Sequence, residues 1–167
     1  MNRNSILLIV IEMDFVLKSS AFSDQENIPH RYTCTEEEYS PPLFWENIPE
    51  NTQSFALIMV DLDTPITNLT HWILFNIPSD QTSLPEAVSC QDSFSNNMIQ
   101  GRNSMRKNDY MGPCPPFGSH RYKFTLFALD ATLENDPNIN KKKLMKEIKG
   151  HILAETSLIG VYSKKQT

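Results

Sequence analysis

The stretch Tyr110-Met111-Gly112-Pro113-Cys114-Pro115-Pro116-Phe117-Gly118-Ser119-His120-Arg121-Tyr122-Lys123-Phe124 decides the fold of this 167-residue chain. Its first half predicts a rigid loop, because neither a helix nor a central strand accommodates so many Pro and Gly residues. Its second half predicts a strand, with alternate residues on one buried face: Tyr122, Phe124, Leu126 and Ala128. The stiff loop would hold His120 at the start of that strand, a position suited to ligand contact.

Size and composition favour one folded domain. The chain is 40% hydrophobic and 10% aromatic, which is typical of a globular protein. Its net charge of -5 argues against a nucleic-acid partner. We expect residues 13–167 to form the domain and residues 1–12 to be an N-terminal extension, with Met13 as an alternative start. The apolar run 6–11 is too short for a signal-peptide core or a membrane span, so we expect a cytoplasmic protein.

The cysteines do not indicate a metal site. There are three, Cys34, Cys90 and Cys114, and no two of them form a CxxC pair. Reduced cytosolic thiols are the expected state. A single disulfide in an oxidising compartment is the alternative.

Two further apolar stretches predict strands that end or begin in polar residues. Residues 55–60 form a continuous apolar run, typical of a strand buried on both faces, and Asp61 and Asp63 follow it before Pro65 ends it. Residues 71–78 predict another strand, which begins with His71. Together with His120, these acids and histidines occupy strand ends, which a β-sandwich can gather at one rim.

The remaining segments predict peripheral structure. A first strand is expected at residues 14–18, a solvated turn at residues 36–38 and a long polar loop over residues 79–107. Asn140 or a neighbour would cap a helix with an apolar stripe that includes Leu144, Ile148, Ile152 and Leu153. A last short strand would follow at residues 158–162.

The polar residues at the strand ends suit a small oxyanion. His71, His120 and Tyr122 supply hydrogen-bond donors, and Gly112 would let backbone amides approach a ligand closely. A carboxylate repels phosphate, so Asp61 would accept a hydrogen bond from a histidine and fix the tautomer of that ring, or would share a proton with the ligand.

Several motifs together resemble the phosphatidylethanolamine-binding protein family, and most closely its bacterial and archaeal Raf kinase inhibitor-like branch. They are Ser40-Pro41-Pro42-Leu43, Asp61-Leu62-Asp63-Thr64-Pro65, His71-Trp72, Asn76-Ile77-Pro78, Gly101-Arg102-Asn103 and the segment from Gly112-Pro113 to His120-Arg121-Tyr122. The long segment is specific, whereas each short motif alone is weak. The resemblance extends from residue 13 to residue 162.

The resemblance implies a mainly β protein, an antiparallel β-sandwich with a C-terminal helix. It implies a small anion pocket made of Asp61, His71, Gly112, His120 and Tyr122. It also implies a pocket wall made of Asp63, Pro65, Trp72 and Pro113. The implied protein is not an enzyme and has no cofactor or metal. It would bind a phosphate-containing small molecule or phospholipid headgroup, could inhibit a kinase or protease, and would form a homodimer.

The sequence departs from the family pattern at two places. Leu62 stands where the family has Pro, which restores a backbone N–H donor beside Asp61. The segment 36–39 lacks the Gly that the family often shows, which would change the rim of the pocket.

Two other functions remain open. A metal-dependent or His/Asp-dependent hydrolase could use Asp61, Asp63, His71 and His120. Neither an HExxH spacing nor a nucleophile elbow is present. An inhibitor could instead act through its surface, with the pocket secondary.

Overall fold

Antiparallel strands in two sheets form the fold, as the sequence predicts. The computed structural model describes residues 13–65, 67–88 and 97–164. The elements are β1 (Val16–Lys18), β2 (Leu43–Glu46), β3 (Ser54–Asp61), β4 (Leu69–Pro78), β5 (Ser83–Leu84), β6 (Ile99–Gln100), β7 (Ser119–Leu129), α1 (Lys141–Glu147) and β8 (Ile152–Ser163). The small sheet has the order β1-β2-β5 and the large sheet the order β6-β4-β3-β7-β8. The predicted β-sandwich is confirmed.

Strand β3 lies at the centre of the large sheet, between β4 and β7, and all of its residues are buried. This explains its continuous apolar sequence, because both of its faces contact a core. One core lies between the two sheets and includes the predicted face of β7, in which Tyr122, Phe124 and Leu126 have no solvent exposure. Burying one such side chain contributes about 1.5–3 kcal/mol.

The second core lies on the other face of the large sheet, where α1 packs. Leu144 and Ile148 contact the side chains that β3 and β4 direct to that face. Asn140 caps the helix as predicted, its side chain accepting a hydrogen bond from the Lys143 amide at 3.0 Å. The chain therefore has three layers, with the large sheet in the middle.

The predicted helix is too long. It ends at Glu147, and Gly150 follows with a φ of 90°, a left-handed conformation that a continuing helix does not allow. Ile152 and Leu153 belong instead to β8, where both are exposed. The expected short last strand is a 12-residue strand, because β8 pairs with nearly the whole of β7.

Other boundaries also differ from the prediction. The first strand comprises only Val16–Lys18, and the segment 79–107 contains the short strands β5 and β6. The predicted N-terminal extension 1–12 lies outside the described residues. In the described part of the chain, the one α-helix is far too short to cross a lipid bilayer.

A disulfide bond joins Cys34 to Cys114, across a sequence separation of 80 residues. The prediction of reduced thiols is therefore wrong for this pair, and the alternative of a single disulfide holds. Spacing along the chain gave no sign of the pairing. The two cysteines meet only when residues 110–118, which we call the pocket loop, pack against residues 33–38. Cys90 lies outside the described residues.

Candidate functional site

The ends of three strands of the large sheet bring the predicted site residues together. Asp61 is the last residue of β3 and lies opposite Tyr122 of β7 in the antiparallel register. His120 lies near the start of β7, and His71 near the start of β4. Because β4 and β7 both run antiparallel to β3, their beginnings lie at its end, and the predicted gathering at one rim is confirmed.

A β-bulge turns His71 toward the core between the sheets. Met59 pairs with Trp72 but Val60 pairs with Thr70, so His71 is the additional residue. Its ring meets the Tyr122 ring edge-on, with centroids 5.2 Å apart. Strict alternation would have pointed His71 away from Trp72; the bulge places both on the inner side.

Asp61 is buried and binds His120. Its Oδ2 lies 2.7 Å from His120 Nδ1, and its Oδ1 accepts a hydrogen bond from the Asp63 amide at 2.8 Å. The neighbouring Leu62 amide donates to the Arg121 carbonyl at 2.9 Å, a bond that proline could not make. The departure at Leu62 thus adds a link between β3 and β7 and leaves Asp61 directed at His120.

His71 and Tyr122 each present a polar atom without a partner. His71 Nδ1 donates to the Met111 carbonyl at 2.7 Å, while His71 Nε2 and Tyr122 Oη are buried and make no hydrogen bond to the described residues. Burial lowers the pKa of His71, partly offset by the bond to Met111. Burial, with the nearby Asp61 carboxylate, raises the pKa of the Tyr122 hydroxyl far above its ordinary value. Tyr122 is therefore a protonated donor at neutral pH.

The Asp63 side chain pairs with Arg121 rather than with another site side chain. Its carboxylate accepts hydrogen bonds from Arg121 Nε at 2.9 Å, from the second guanidinium nitrogen at 2.7 Å and from the Arg121 amide at 2.8 Å. These bonds lower the pKa of Asp63 to about 2. Asp63 consequently stays ionised and paired at the rim.

The backbone amide of Gly112, a predicted ligand-binding residue, is hydrogen-bonded to Glu38. The Gly112 N–H donates to Glu38 Oε1 at 2.9 Å. A Cβ at Gly112 would come within 2.9 Å of Glu38 Cγ and 3.0 Å of the Thr33 backbone, so only glycine fits. The Gly112 amide is therefore paired within the protein, and the contact of Gly112 with a ligand stays a prediction. Sequence reasoning assigned Glu38 to a solvated turn, although the departure from the family pattern in that segment was a signal.

The pocket loop is fixed from two sides. The Met111 amide donates to the His71 carbonyl at 3.0 Å, so this pair of residues exchanges two hydrogen bonds. The Cys34 amide donates to the Pro113 carbonyl at 3.2 Å, next to the disulfide. The loop thus holds His71 Nδ1 in the donor state and leaves Nε2 as the open atom.

The predicted wall residues take different positions. Pro113 is buried in the loop, and Pro65 is exposed beyond Asp63. Trp72 is fully buried, and its indole N–H donates to Gln100 Oε1 at 2.9 Å. Trp72 thus supports the site from within the core.

Tyr162 is a further residue near the site that sequence reasoning did not assign to it. It lies opposite His120 in the pairing of β7 with β8. Its hydroxyl lies 3.0 Å from both His30 Nδ1 and Thr35 Oγ1. Tyr162 lies in the Gly-Val-Tyr segment of the last predicted strand, but only the register of β8 brings it beside His120.

The described residues contain no group of three or more His, Cys, Asp or Glu side chains positioned to hold a metal ion. Asp61 and His120 instead bind each other, and His71 binds a backbone carbonyl. These contacts favour a site that uses hydrogen bonds.

Comparison with known proteins identifies the family. The model of the phosphatidylethanolamine-binding protein family matches residues 18–163. The chain belongs to this family. The predicted resemblance is therefore confirmed, and the match spans the positions of the candidate site residues, whose roles stay predictions.

The relatives are bacterial and archaeal proteins. A UPF0098 protein of Methanothermobacter thermautotrophicus is 45% identical over 148 residues, covering 89% of this chain and 98% of the relative. The solved structure of a phosphatidylethanolamine-binding protein homologue, CT736 of Chlamydia trachomatis, is 33% identical with a TM-score of 0.84, covering 90% of this chain and 98% of that one. E. coli YbcL, described as a member of the mammalian family, is 27% identical with a TM-score of 0.84, covering 92% and 100%.

Proposed function

We propose that this protein holds a small phosphate-type anion between His71, His120 and Tyr122, and that it acts by binding rather than by catalysis. The ligand would be a phosphorylated small molecule or a phospholipid headgroup. The family name supports this class of ligand.

Two buried polar atoms carry the proposal. His71 Nε2 and Tyr122 Oη lack hydrogen-bond partners among the described residues, and the two rings are in contact. Leaving a buried polar group unsatisfied costs about 1–3 kcal/mol, and most such groups in proteins are paired. A ligand oxygen between the two rings would satisfy both.

The other contacts assign each group a role. The Tyr122 hydroxyl donates to a ligand oxygen. Asp61 accepts a hydrogen bond from His120 Nδ1, which directs the Nε2 side of that ring toward the ligand. The imidazole separates the ligand from the Asp61 carboxylate and so reduces the repulsion between two anions.

His71 links binding to pH. Its Nδ1 proton is committed to Met111, so Nε2 can donate to an anion only when the ring gains a second proton. Burial lowers the pKa of the unliganded His71 ring. The negative charges of Asp61 and Glu38 raise this pKa, and positive charge on His120 lowers it further. A bound anion would raise the same pKa. Affinity for a dianionic ligand should therefore increase as pH falls toward about 6, where phosphate monoesters themselves begin to protonate.

The test is an NMR titration of the four histidine side chains with inorganic phosphate and with phosphoethanolamine. We expect saturable shifts of His71 and His120. His151 is an internal control, because it pairs with Asp130, just beyond the opposite end of β7. Tyr122→Phe removes one hydroxyl and keeps the packed ring, and should weaken binding about tenfold or more. Unmoved His71 and His120 signals at millimolar ligand, or equal movement of His151, would contradict the proposal.

Hydrolysis is the second candidate, because the Asp61–His120 hydrogen bond has the arrangement of a general base and the group that orients it. It predicts turnover of a chromogenic phosphate ester that disappears in His120→Ala. Phosphate release at the uncatalysed rate would exclude this reaction.

We also propose, as the family resemblance implies, a homodimer that could inhibit a protein kinase or protease, and, from the short apolar run at residues 6–11, a cytoplasmic location. Sedimentation analysis tests the dimer. The Cys34–Cys114 disulfide bears on the compartment, since disulfides are uncommon in most cytosolic proteins. Thiol trapping in intact cells would test the location, because an oxidised pair in the cell argues for a more oxidising compartment.

A further inference from the structure

A second concave surface lies on the opposite face of the large sheet from the candidate site. It has a volume of about 490 Å³ and is lined by four cationic side chains, Arg102, Arg106, Lys141 and Lys142. No acidic residue of the described chain lines it. Thr70 also lines it, because the bulge at His71 leaves Thr70 on the opposite face of the sheet from His71. We call it the basic cleft.

The charge of the basic cleft contrasts with the rest of the protein. The whole chain carries a net charge of -5, yet four cations line this one cleft. Lys143 is paired with Asp136, but the ion pairs of the described residues include none to Lys141 or Lys142. An anion bound in the cleft would therefore meet four cations and no lining carboxylate, which favours its binding.

Two of the four cations stand where positive charge is unfavourable. Lys141 and Lys142 begin helix α1, where positive charge opposes the helix dipole. A sequence that breaks a local stability rule without local compensation commonly marks a functional site. The cleft supplies such a reason, because both lysines line it together with the two arginines.

The backbone that presents the arginines is fixed. Asn103 is buried, and its Oδ1 accepts hydrogen bonds from the Met105 and Lys107 amides, at 2.9 and 3.1 Å. Its Nδ2 donates to the Asp109 carbonyl at 3.0 Å. The side chain of Asn103 thus organises the turn that carries Arg106. The cleft is a preformed surface, which lowers the entropic cost of binding.

Close packing joins this turn to the segment before α1. The Arg102 amide donates to the Ile139 carbonyl at 2.7 Å. A Cβ at Gly101 would come within 2.7 Å of Ile73 Cγ2 and 2.8 Å of the Ile139 carbonyl oxygen. Glycine is therefore required for the two walls of the cleft to meet. The Gly101-Arg102-Asn103 motif, which the candidate site does not use, builds this surface.

We propose that the basic cleft binds a small molecule with at least two phosphate groups. Its volume lies within the range of small-molecule sites, and its cations outnumber what a single phosphate would neutralise. Arginine binds phosphate oxygens through two nitrogens, and lysine adds a point charge. The Asn138 and Asn140 amides, which also line the cleft, are further polar groups at its edge.

The test is calorimetric titration of the full chain with pyrophosphate and, separately, with orthophosphate. We expect saturable pyrophosphate binding that weakens about tenfold or more in the double variant Arg106→Gln/Lys141→Gln. The matched control Lys146→Gln/Lys149→Gln removes the same charge from exposed lysines that do not line the cleft, and should bind as the parent does. Both pairs include exposed surface positions, and an unchanged amide NMR spectrum away from the substitutions establishes that the fold persists.

The outcomes separate the two sites. Amide signals of residues 101–106 and 138–142 should shift with pyrophosphate, and the cleft variant should retain the phosphate response of His71 and His120. Equal weakening in the control variant, equal affinity for the two anions, or no saturable binding at millimolar pyrophosphate would overturn the basic-cleft proposal. Each of these results leaves the anion site at His71 and His120 to be judged by its own titration.

Discussion

Breaking the Cys34–Cys114 disulfide should destabilise the fold without abolishing it. The bond links the pocket loop to the segment that carries Glu38, two regions far apart in sequence. Cys90→Ser provides the background for the experiment, because the paired cysteines are then the only thiols in the chain. Cys34→Ser in that background removes the cross-link and changes one atom of one side chain.

The magnitude follows from the length of chain that the bond closes. A separation of 80 residues restricts the unfolded ensemble by an amount worth about 4.5 kcal/mol at 25 °C in the loop-entropy treatment. Measured losses for native disulfides are typically about 2–5 kcal/mol. For a domain of this size, 1 kcal/mol changes the Tm by about 2–4 °C, so a loss of about 4 kcal/mol predicts a decrease of about 8–16 °C.

Urea unfolding followed by tryptophan fluorescence measures the effect, since Trp45 and Trp72 are both buried and become exposed on unfolding. The oxidised Cys90→Ser protein is compared with the same protein after reduction and with Cys34→Ser/Cys90→Ser. The two latter forms should agree with each other. Coincident unfolding midpoints for the oxidised and reduced forms would refute the loop-entropy argument. Two titratable thiols in denatured, unreduced Cys90→Ser protein would show that the bond does not form.

Two smaller predictions concern single side chains. The pKa of Asp63, lowered to about 2 by Arg121, means that this ion pair stabilises the fold above about pH 4 and is lost as pH falls toward 2. Because Arg121 is more than half exposed, solvent screens the pair and its contribution is small, and Asp63→Asn should unfold with a slightly smaller dependence on pH between 4 and 2; equal acid sensitivity would contradict it. Asn140→Ala should lower the free energy of unfolding by about 1 kcal/mol through loss of the helix cap, measured by urea unfolding against Asn140→Ser, which retains a capping oxygen and should stay close to the parent.

The strands that carry the site follow from the sequence with few errors. The period-two face of β7 and the continuous apolar run of β3 depend only on which faces are buried, a local property that the residue order records. Asp61 ends β3 and His120 lies near the start of β7, so antiparallel pairing of these two strands is enough to place both residues at the same rim. The family resemblance supplied the same residues from the motifs.

The sequence failed where two distant segments compete for one stretch of chain. Ile148 and Ile152 have helical spacing. In the structure β8 pairs with nearly the whole of β7, and Ile152 and Leu153 belong to β8 rather than to the helix. Pairing across the sheet gains a hydrogen bond at alternate positions along the edge of β7, and an isolated helix of this length is only marginally stable. The hydrophobic periodicity of one segment does not show whether strand pairing with a distant segment is more stable than a local helix.

Some features of the site follow from the sequence alone, and others depend on tertiary packing. The sequence by itself determined the buried strands, the polar residues at their ends and the rigid loop, because hydrophobic period and the chemistry of Pro and Gly act over a few neighbouring residues. The β-sandwich was implied by the family resemblance. Tertiary structure alone decided that a bulge turns His71 inward, that Glu38 takes the Gly112 amide and that Cys34 bonds to Cys114. Each of these depends on two segments arriving at the same place, and contact between segments far apart in the chain is a property of packing rather than of sequence order.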